Sequence, residues 1–135
     1  MRVVLDTNVF VSGVIFSGPP YRILRAWRDG RVQLVLSSEI LDEYHRVGQE
    51  LAREFPGIDL ASIETLLATH AEFVDAPPLP QQVCADPDDD KFLACALASR
   101  TKVVVSGDKE LRRVTGWRGI NVMSPRAFVD AYLPG

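Results

Sequence analysis

The chain has 135 residues, of which 47% are hydrophobic and 24% are charged, and its formal net charge is −3. This balance predicts one globular domain over residues 1–135 and excludes a disordered chain or one with a membrane-spanning run. The negative charge also excludes a protein held on nucleic acid by a general positive field, although it allows a nuclease whose acids are offset by metal. Cys95 lies in an apolar stretch typical of a buried free thiol, so we expect a cytoplasmic protein.

Strand and helix patterns alternate along the chain. The predicted strands are residues 2–5, 32–36, 72–74, 103–105 and 120–123. The predicted helices begin at Pro19-Pro20, at Ser37 or Ser38, at Leu60, near Asp88 or Asp89, after Asp108 and after Ser124-Pro125. Residues 76–85, with three prolines, predict a loop. The alternation predicts a three-layer α/β/α fold around a parallel sheet of four to five strands.

Two predicted strands run directly into an acid. Val3-Val4-Leu5 precedes Asp6, and Val103-Val104-Val105 is followed by Ser106, Gly107 and Asp108. A carboxylate at the end of a buried strand costs free energy unless something compensates it, and ligands of parallel α/β sheets sit at that edge. A turn at Asp6 and a helix cap at Asp108 are the structural alternatives.

Two further acids are predicted at the same edge of the sheet. Glu43 lies on the second turn of the helix after the second strand, three residues after Ile40, where a solvated surface position is the alternative. Asp90 lies at the start of the helix beginning near residue 88 and precedes a buried-looking face. Asp89 has a similar pattern, so spacing alone separates the two poorly, and Asp88 is the natural cap.

Four carboxylates at one edge predict a cation site formed by Asp6, Glu43, Asp90 and Asp108. Mg²⁺ and Mn²⁺ prefer oxygen ligands, and a divalent ion relieves the repulsion between packed carboxylates. Such an ion can activate water and neutralise charge on a phosphate. Three arginines at helical spacing, Arg22, Arg25 and Arg28, are either phosphate contacts or a solvated helix face.

Four segments hold these acids in a recognisable order. They are Val-Val-Leu-Asp-Thr-Asn-Val at 3–9, Ser-Ser-Glu-Ile-Leu-Asp-Glu-Tyr at 37–44, Asp-Pro-Asp-Asp-Asp-Lys-Phe-Leu-Ala-Cys-Ala at 86–96, and Val-Ser-Gly-Asp-Lys-Glu-Leu at 105–111. With these motifs the chain resembles the PIN-domain family, most closely the VapC-like toxins of bacterial toxin–antitoxin systems. The resemblance places the family's second acid at Glu43 and selects Asp90 over Asp89 for the third.

The resemblance implies a metal-dependent endoribonuclease, a hydrolase of single-stranded RNA that uses Mg²⁺ or Mn²⁺. Asp6, Glu43, Asp90 and Asp108 would be both metal ligands and catalytic residues. Thr7, Asn8 and Ser106 would support the ligands or orient substrate. The resemblance also implies an antitoxin partner and a homodimer, with no membrane association.

Two other functions are weighed against the nuclease. One is a catalytically weak module that binds mainly an antitoxin or another protein and holds a structural cation. The other, less favoured, is a phosphatase of the haloacid-dehalogenase type with Asp6 as a covalent nucleophile. That family needs a second aspartate two residues later, where this chain has Asn8.

Overall fold

A five-stranded, all-parallel sheet forms the centre of the computed structural model, which describes residues 1–134. Its strands are Arg2–Leu5 (β1), Gln33–Leu36 (β2), Glu72–Phe73 (β3), Val103–Val105 (β4) and Asn121–Met123 (β5). They lie in the order β3-β2-β1-β4-β5, so β1 is central. All five predicted strands are present, and the predicted α/β class with a parallel sheet is confirmed.

Seven α-helices connect the strands within the described residues. They are Thr7–Ile15 (α1), Pro19–Arg28 (α2), Ser38–Glu54 (α3), Leu60–His70 (α4), Asp90–Ser99 (α5), Lys109–Arg112 (α6) and Pro125–Tyr132 (α7). A 3₁₀ turn at Pro87–Asp89 leads directly into α5. Residues 76–85 carry no helix or strand, as the prolines predict.

The core is built on the three inner strands. Val3, Val4 and Leu5 of β1 and the three valines of β4 are each at most 3% exposed. Strands that are apolar on both faces are typical of a parallel sheet covered by helices on each side. The polar group that follows such a strand therefore emerges from a dry environment, and Asp6 is only 5% exposed.

Helix α1 is the element that the sequence does not predict. Residues 7–15 are rich in Val and Ile and contain Gly13, a composition that favours a strand more than a helix. Two tertiary features override this propensity. Asp6 caps the helix, and Val9 and Phe10 are buried on its inner side. Gly13 lets α1 approach α2, because a Cβ there would lie 2.7 Å from Leu24 Cδ1.

The described residues also bear on membrane association. None of the helices formed by residues 1–134 combines the length and the apolar character that crossing a bilayer requires.

Candidate active site

Asp6 is held at the end of β1 by the elements on either side of it. It is the N-cap of α1, with its Oδ1 accepting from the backbone N–H of Val9 at 2.9 Å, and its Oδ2 accepts from the hydroxyl of Ser106. Burial raises the pKa of Asp6, and the nearby charges of Asp108 and Glu43 raise it further, while the two hydrogen bonds lower it. Asp6 therefore caps α1 and also lies at the sheet edge where parallel α/β proteins bind ligands.

Ser106 joins the first and fourth acids. Its hydroxyl donates to Asp6 and accepts from the backbone N–H of Asp108 at 3.0 Å. Asp108 in turn caps α6, its Oδ1 accepting from the N–H of Glu110 at 2.9 Å. Because β1 and β4 are adjacent in the sheet, a fully buried serine suffices to fix the two aspartates relative to each other.

Glu43 reaches the same place from α3. Its side chain is only 12% exposed, and each of its oxygens has a partner. Thr7 donates its hydroxyl to Oε2, and the Lys91 ammonium lies 2.6 Å from Oε1. Burial lowers the pKa of Lys91, but hydrogen bonds to Glu43 and Asp88 more than offset this and raise it, so the lysine stays charged.

Asp90, the third predicted acid, is hydrogen-bonded to the loop that precedes it. Both oxygens of Asp90 face the preceding loop, accepting from the backbone N–H groups of Val83 at 3.1 Å and Cys84 at 2.8 Å. Asp90 does not line the cleft that contains Asp6, and Asp89 does. The structure thus brings Asp89, the last residue of the 3₁₀ turn, together with Asp6, Glu43 and Asp108, and the role of Asp90 as a metal ligand stays a prediction.

Asp89 lies among other acidic side chains that raise its pKa. Burial and the charges of Asp86, Asp108, Asp6 and Asp88 raise the pKa of Asp89 to about 6. Its side chain makes no capping hydrogen bond to α5 that would offset these effects. The carboxylate is therefore left in a field of like charge that a bound cation would relieve.

These acids line one open cleft of about 220 Å³. Its lining residues are Asp6, Thr7, Asn8, Glu43, Arg46, Val47, Asp89, Phe92 and Asp108. Two cations at the site were missed by the sequence analysis. Arg46 lies three residues after Glu43 and Lys91 lies three residues after Asp88, so helical spacing from nearby acids could have found both.

The donor set fits a hard divalent ion, since it consists of carboxylate oxygens with raised pKa values at Asp6 and Asp89. Among residues 1–134, no three Asp, Glu, His or Cys side chains already form a group that could hold a metal ion. Binding would therefore draw these carboxylates closer together, which their mutual repulsion opposes while no ion is present.

The arginines on α2 lie elsewhere. Arg22 donates to the carbonyl of Leu133 at 2.8 Å, and Arg25 and Arg28 line a separate groove beside Ile63 and Leu66. None of the three lines the acidic cleft. The positive side chains next to the acids are Arg46 and Lys91 instead.

An acidic cleft at the carboxyl ends of β1 and β4 defines a class of α/β proteins that bind ligands at the sheet edge. The family model of the PIN domain matches residues 2–110. The chain therefore belongs to the PIN domain family, which confirms the resemblance seen in the sequence.

The chain is also similar to one further protein and to two solved structures. The chain is 29% identical over 144 residues to MJ1680, an uncharacterized protein of Methanocaldococcus jannaschii, covering 98% of this chain and 92% of the relative. VapBC2 from Rickettsia felis, solved bound to a DNA fragment from their promoter, superposes with a TM-score of 0.63 at 15% identity, covering 92% of this chain and 98% of that one. PAE2754 from Pyrobaculum aerophilum gives a TM-score of 0.61 at 14% identity, covering 99% and 90% respectively. At these identities the two structures show a shared fold.

Proposed function

We propose that this chain is a metal-dependent endoribonuclease that hydrolyses phosphodiester bonds of single-stranded RNA. The observation that carries the proposal is the meeting of Asp6, Glu43, Asp89 and Asp108 in one cleft. Membership of the PIN domain family supports a nuclease, since members of this family are generally nucleases. The proposal retains three of the four predicted acids and replaces Asp90 with Asp89.

Each side chain has a task in this proposal. Asp6, Asp89 and Asp108, with Glu43 beside them, would hold Mg²⁺ or Mn²⁺. When bound, such an ion supplies activation of water and neutralisation of charge on the scissile phosphate. Ser106 and Thr7 orient Asp6 and Glu43 through their hydroxyl groups. Asn8 and Arg46 line the open side of the cleft, where they would contact the RNA backbone.

The phosphatase alternative is disfavoured by the surroundings of Asp6. A covalent nucleophile needs a free oxygen aimed at the substrate, whereas both oxygens of Asp6 accept hydrogen bonds, one from Val9 and one from Ser106. The residue two positions later is Asn8, which cannot serve as an acid. A divalent ion can still use the remaining lone pairs of Asp6.

The direct test is RNA cleavage with Mn²⁺ by the wild-type protein and by Asp6→Asn. The amide keeps one oxygen to cap α1 but loses the charge, so we expect the variant to fold and to cleave at least about 100-fold more slowly. Equal cleavage by the two proteins would contradict the proposal. Circular dichroism on both samples checks that the variant is folded.

We further propose that the chain is the toxin of a toxin–antitoxin pair and forms a homodimer. An apolar groove of about 280 Å³ lies between α3 and α4, lined by Leu41, Leu60, Ile63 and the half-exposed Phe73, and could receive a protein partner. Co-expression with the product of a neighbouring small reading frame tests this. We expect the two proteins to co-purify and RNA cleavage to be inhibited, and sedimentation of the isolated chain to give a dimer.

Co-purification without any RNA cleavage by the isolated chain, across a broad substrate panel, would favour the alternative of a binding module. In that case Mn²⁺ would bind without turnover. A chain that neither binds the neighbouring product nor is inhibited by it would contradict the toxin assignment while leaving the nuclease intact.

A further inference from the structure

One lysine lies between an acid of the candidate site, Glu43, and an acid of the turn before α5, Asp88. The Lys91 side chain is only 16% exposed, and its Nζ lies 2.6 Å from Glu43 Oε1 and 3.1 Å from Asp88 Oδ1. A lysine is seldom buried unless it is paired, and here it bridges α3 to the start of α5. The positive charge of Lys91 therefore acts on the acids of the cleft and is not simply solvated.

The Lys91 ammonium pairs with Glu43 but with none of the three aspartates of the cleft. Glu43 is fully engaged, with Thr7 on one oxygen and Lys91 on the other. In the described part of the chain, no Lys or Arg nitrogen lies within ion-pairing distance of Asp6, Asp89 or Asp108. Negative charge that still needs a counter-ion is thus concentrated on the three aspartates.

A second divalent ion on the Glu43 side would meet two obstacles. It would lie beside a positive charge that is partly shielded from water, where like charges repel strongly. It would also compete with an existing hydrogen bond for Glu43 Oε1. Within the described residues no lysine or arginine nitrogen pairs with the three aspartates, so an ion on their side would meet no positive charge and would relieve repulsion instead.

We propose that Lys91 is a built-in counter-cation that limits the cleft to one divalent ion, bound by Asp6, Asp89 and Asp108, with Glu43 held beside them as an ion-paired neighbour. This inference rests on the proposed function, since it concerns the same cleft. Lys91 is a positioning residue in this scheme: it acts through Glu43 and touches neither metal nor substrate.

Calorimetric titration with Mn²⁺ alone tests the inference without any measurement of activity. We expect one ion per chain for the wild-type protein. Lys91→Met should bind two, the first about tenfold more tightly, because a like charge is removed. Lys91→Arg keeps the charge and should bind one. Lys102→Met removes an exposed lysine just before β4, at the opposite edge of the sheet, and should match the wild type.

Glu43→Gln gives a second measurement that leaves Lys91 in place. It should still bind one Mn²⁺, with affinity reduced less than about tenfold, whereas Asp108→Asn should lose at least about 100-fold. Two ions on the wild type, one ion on a folded Lys91→Met, or equal losses in Glu43→Gln and Asp108→Asn would each overturn the inference. Absence of any Mn²⁺ binding by the wild type would instead overturn the proposed cation site itself.

Discussion

The adjacent aspartates Asp89 and Asp90 have opposite surroundings in this protein. The Asp90 carboxylate closes the loop 76–85 onto α5 through two backbone N–H groups, while Asp89 projects into the acidic cleft. The same residue type is thus stabilising at one position and destabilising at the next, because one carboxylate meets donors and the other meets like charges.

Alanine at each position should separate these roles. Asp90→Ala leaves the N–H groups of Val83 and Cys84 without their acceptor, and we expect it to lower the free energy of unfolding by about 1–3 kcal/mol with Mn²⁺ affinity nearly unchanged. Asp89→Ala should keep or raise stability and weaken Mn²⁺ binding by at least about 10-fold. Urea denaturation and calorimetry on both variants measure this, and similar effects of the two substitutions on both quantities would contradict the assignment.

Asp89 should also change the pH dependence of the free energy of unfolding. Its pKa in the folded chain, about 6, lies above the ordinary value of 3.8, so the folded state binds the proton more tightly than the unfolded state. The contribution of Asp89 to stability, without divalent metal, should therefore fall as pH rises from about 4 to about 6 and level off above that range. Asp6, whose pKa is also raised, acts in the same direction.

Urea denaturation of the wild type and of Asp89→Asn, in chelator, measures this contribution. The variant lacks the titrating group, so its stability should fall less over the same range of pH. Parallel curves for the two proteins would show that Asp89 is not perturbed.

At the scale of elements, the helix that Asp6 caps, α1, packs closely against α2. The Cβ of a residue at position 13 would lie 2.7 Å from Leu24 Cδ1 and 2.8 Å from the carbonyl oxygen of Pro20. Backbone cannot yield as a side chain can, so only glycine fits here. The α1 helix that begins at Asp6 is thereby packed against the second helix of the fold.

Gly13→Ala should lower the free energy of unfolding by about 1–3 kcal/mol, since the added methyl group must push two helices apart. Gly48→Ala on α3 is the matched control. There the Cβ meets only the end of the flexible Leu60 side chain at 2.9 Å, and the gain in helix propensity, up to about 1 kcal/mol, offsets the contact. Urea denaturation compares the two, and equal destabilisation would refute the helix-packing explanation.

Sequence patterns predicted the elements more reliably than the direction of single side chains. All five strands follow from apolar runs, and Asp6, Glu43 and Asp108 follow from their positions at the sheet edge. Helix α1 could not be predicted, because its Val-rich composition opposes the conformation that capping and packing impose. Asp89 could not be separated from Asp90, because a 3₁₀ turn with a different number of residues per turn precedes α5.

For the whole molecule, the distribution of charge limits how RNA could be bound. The chain carries a net charge of −3, and the cleft itself is acidic, so no general attraction to phosphate exists. On the proposed function, binding of RNA would therefore depend on a bound cation and on a few local positive side chains. The prediction that a single domain extends over the whole chain, residues 1–135, stays a prediction.

Arg46 is the side chain that should provide this local contact. Arg46→Ala should weaken RNA binding several-fold and reduce the slope of log affinity against log salt by about one, the value for one phosphate contact. Arg28→Ala, on the face of α2 away from the cleft, removes the same charge from the molecule and should leave the slope unchanged. Fluorescence anisotropy with RNA on a nuclease-dead Asp6→Asn background gives both values, and equal slopes for the two variants would contradict the assignment.

The hydrogen bond from Ser106 to Asp6 joins residues 100 positions apart in the chain. During synthesis Asp6 is made early, whereas Ser106, which directly follows β4, is made 100 residues later. Until then β1 lacks its neighbour β4, and the side of the cleft that Asp108 lines is missing. A growing chain is consequently unable to assemble the acidic cleft before the segment that contains Ser106 and Asp108 has been made.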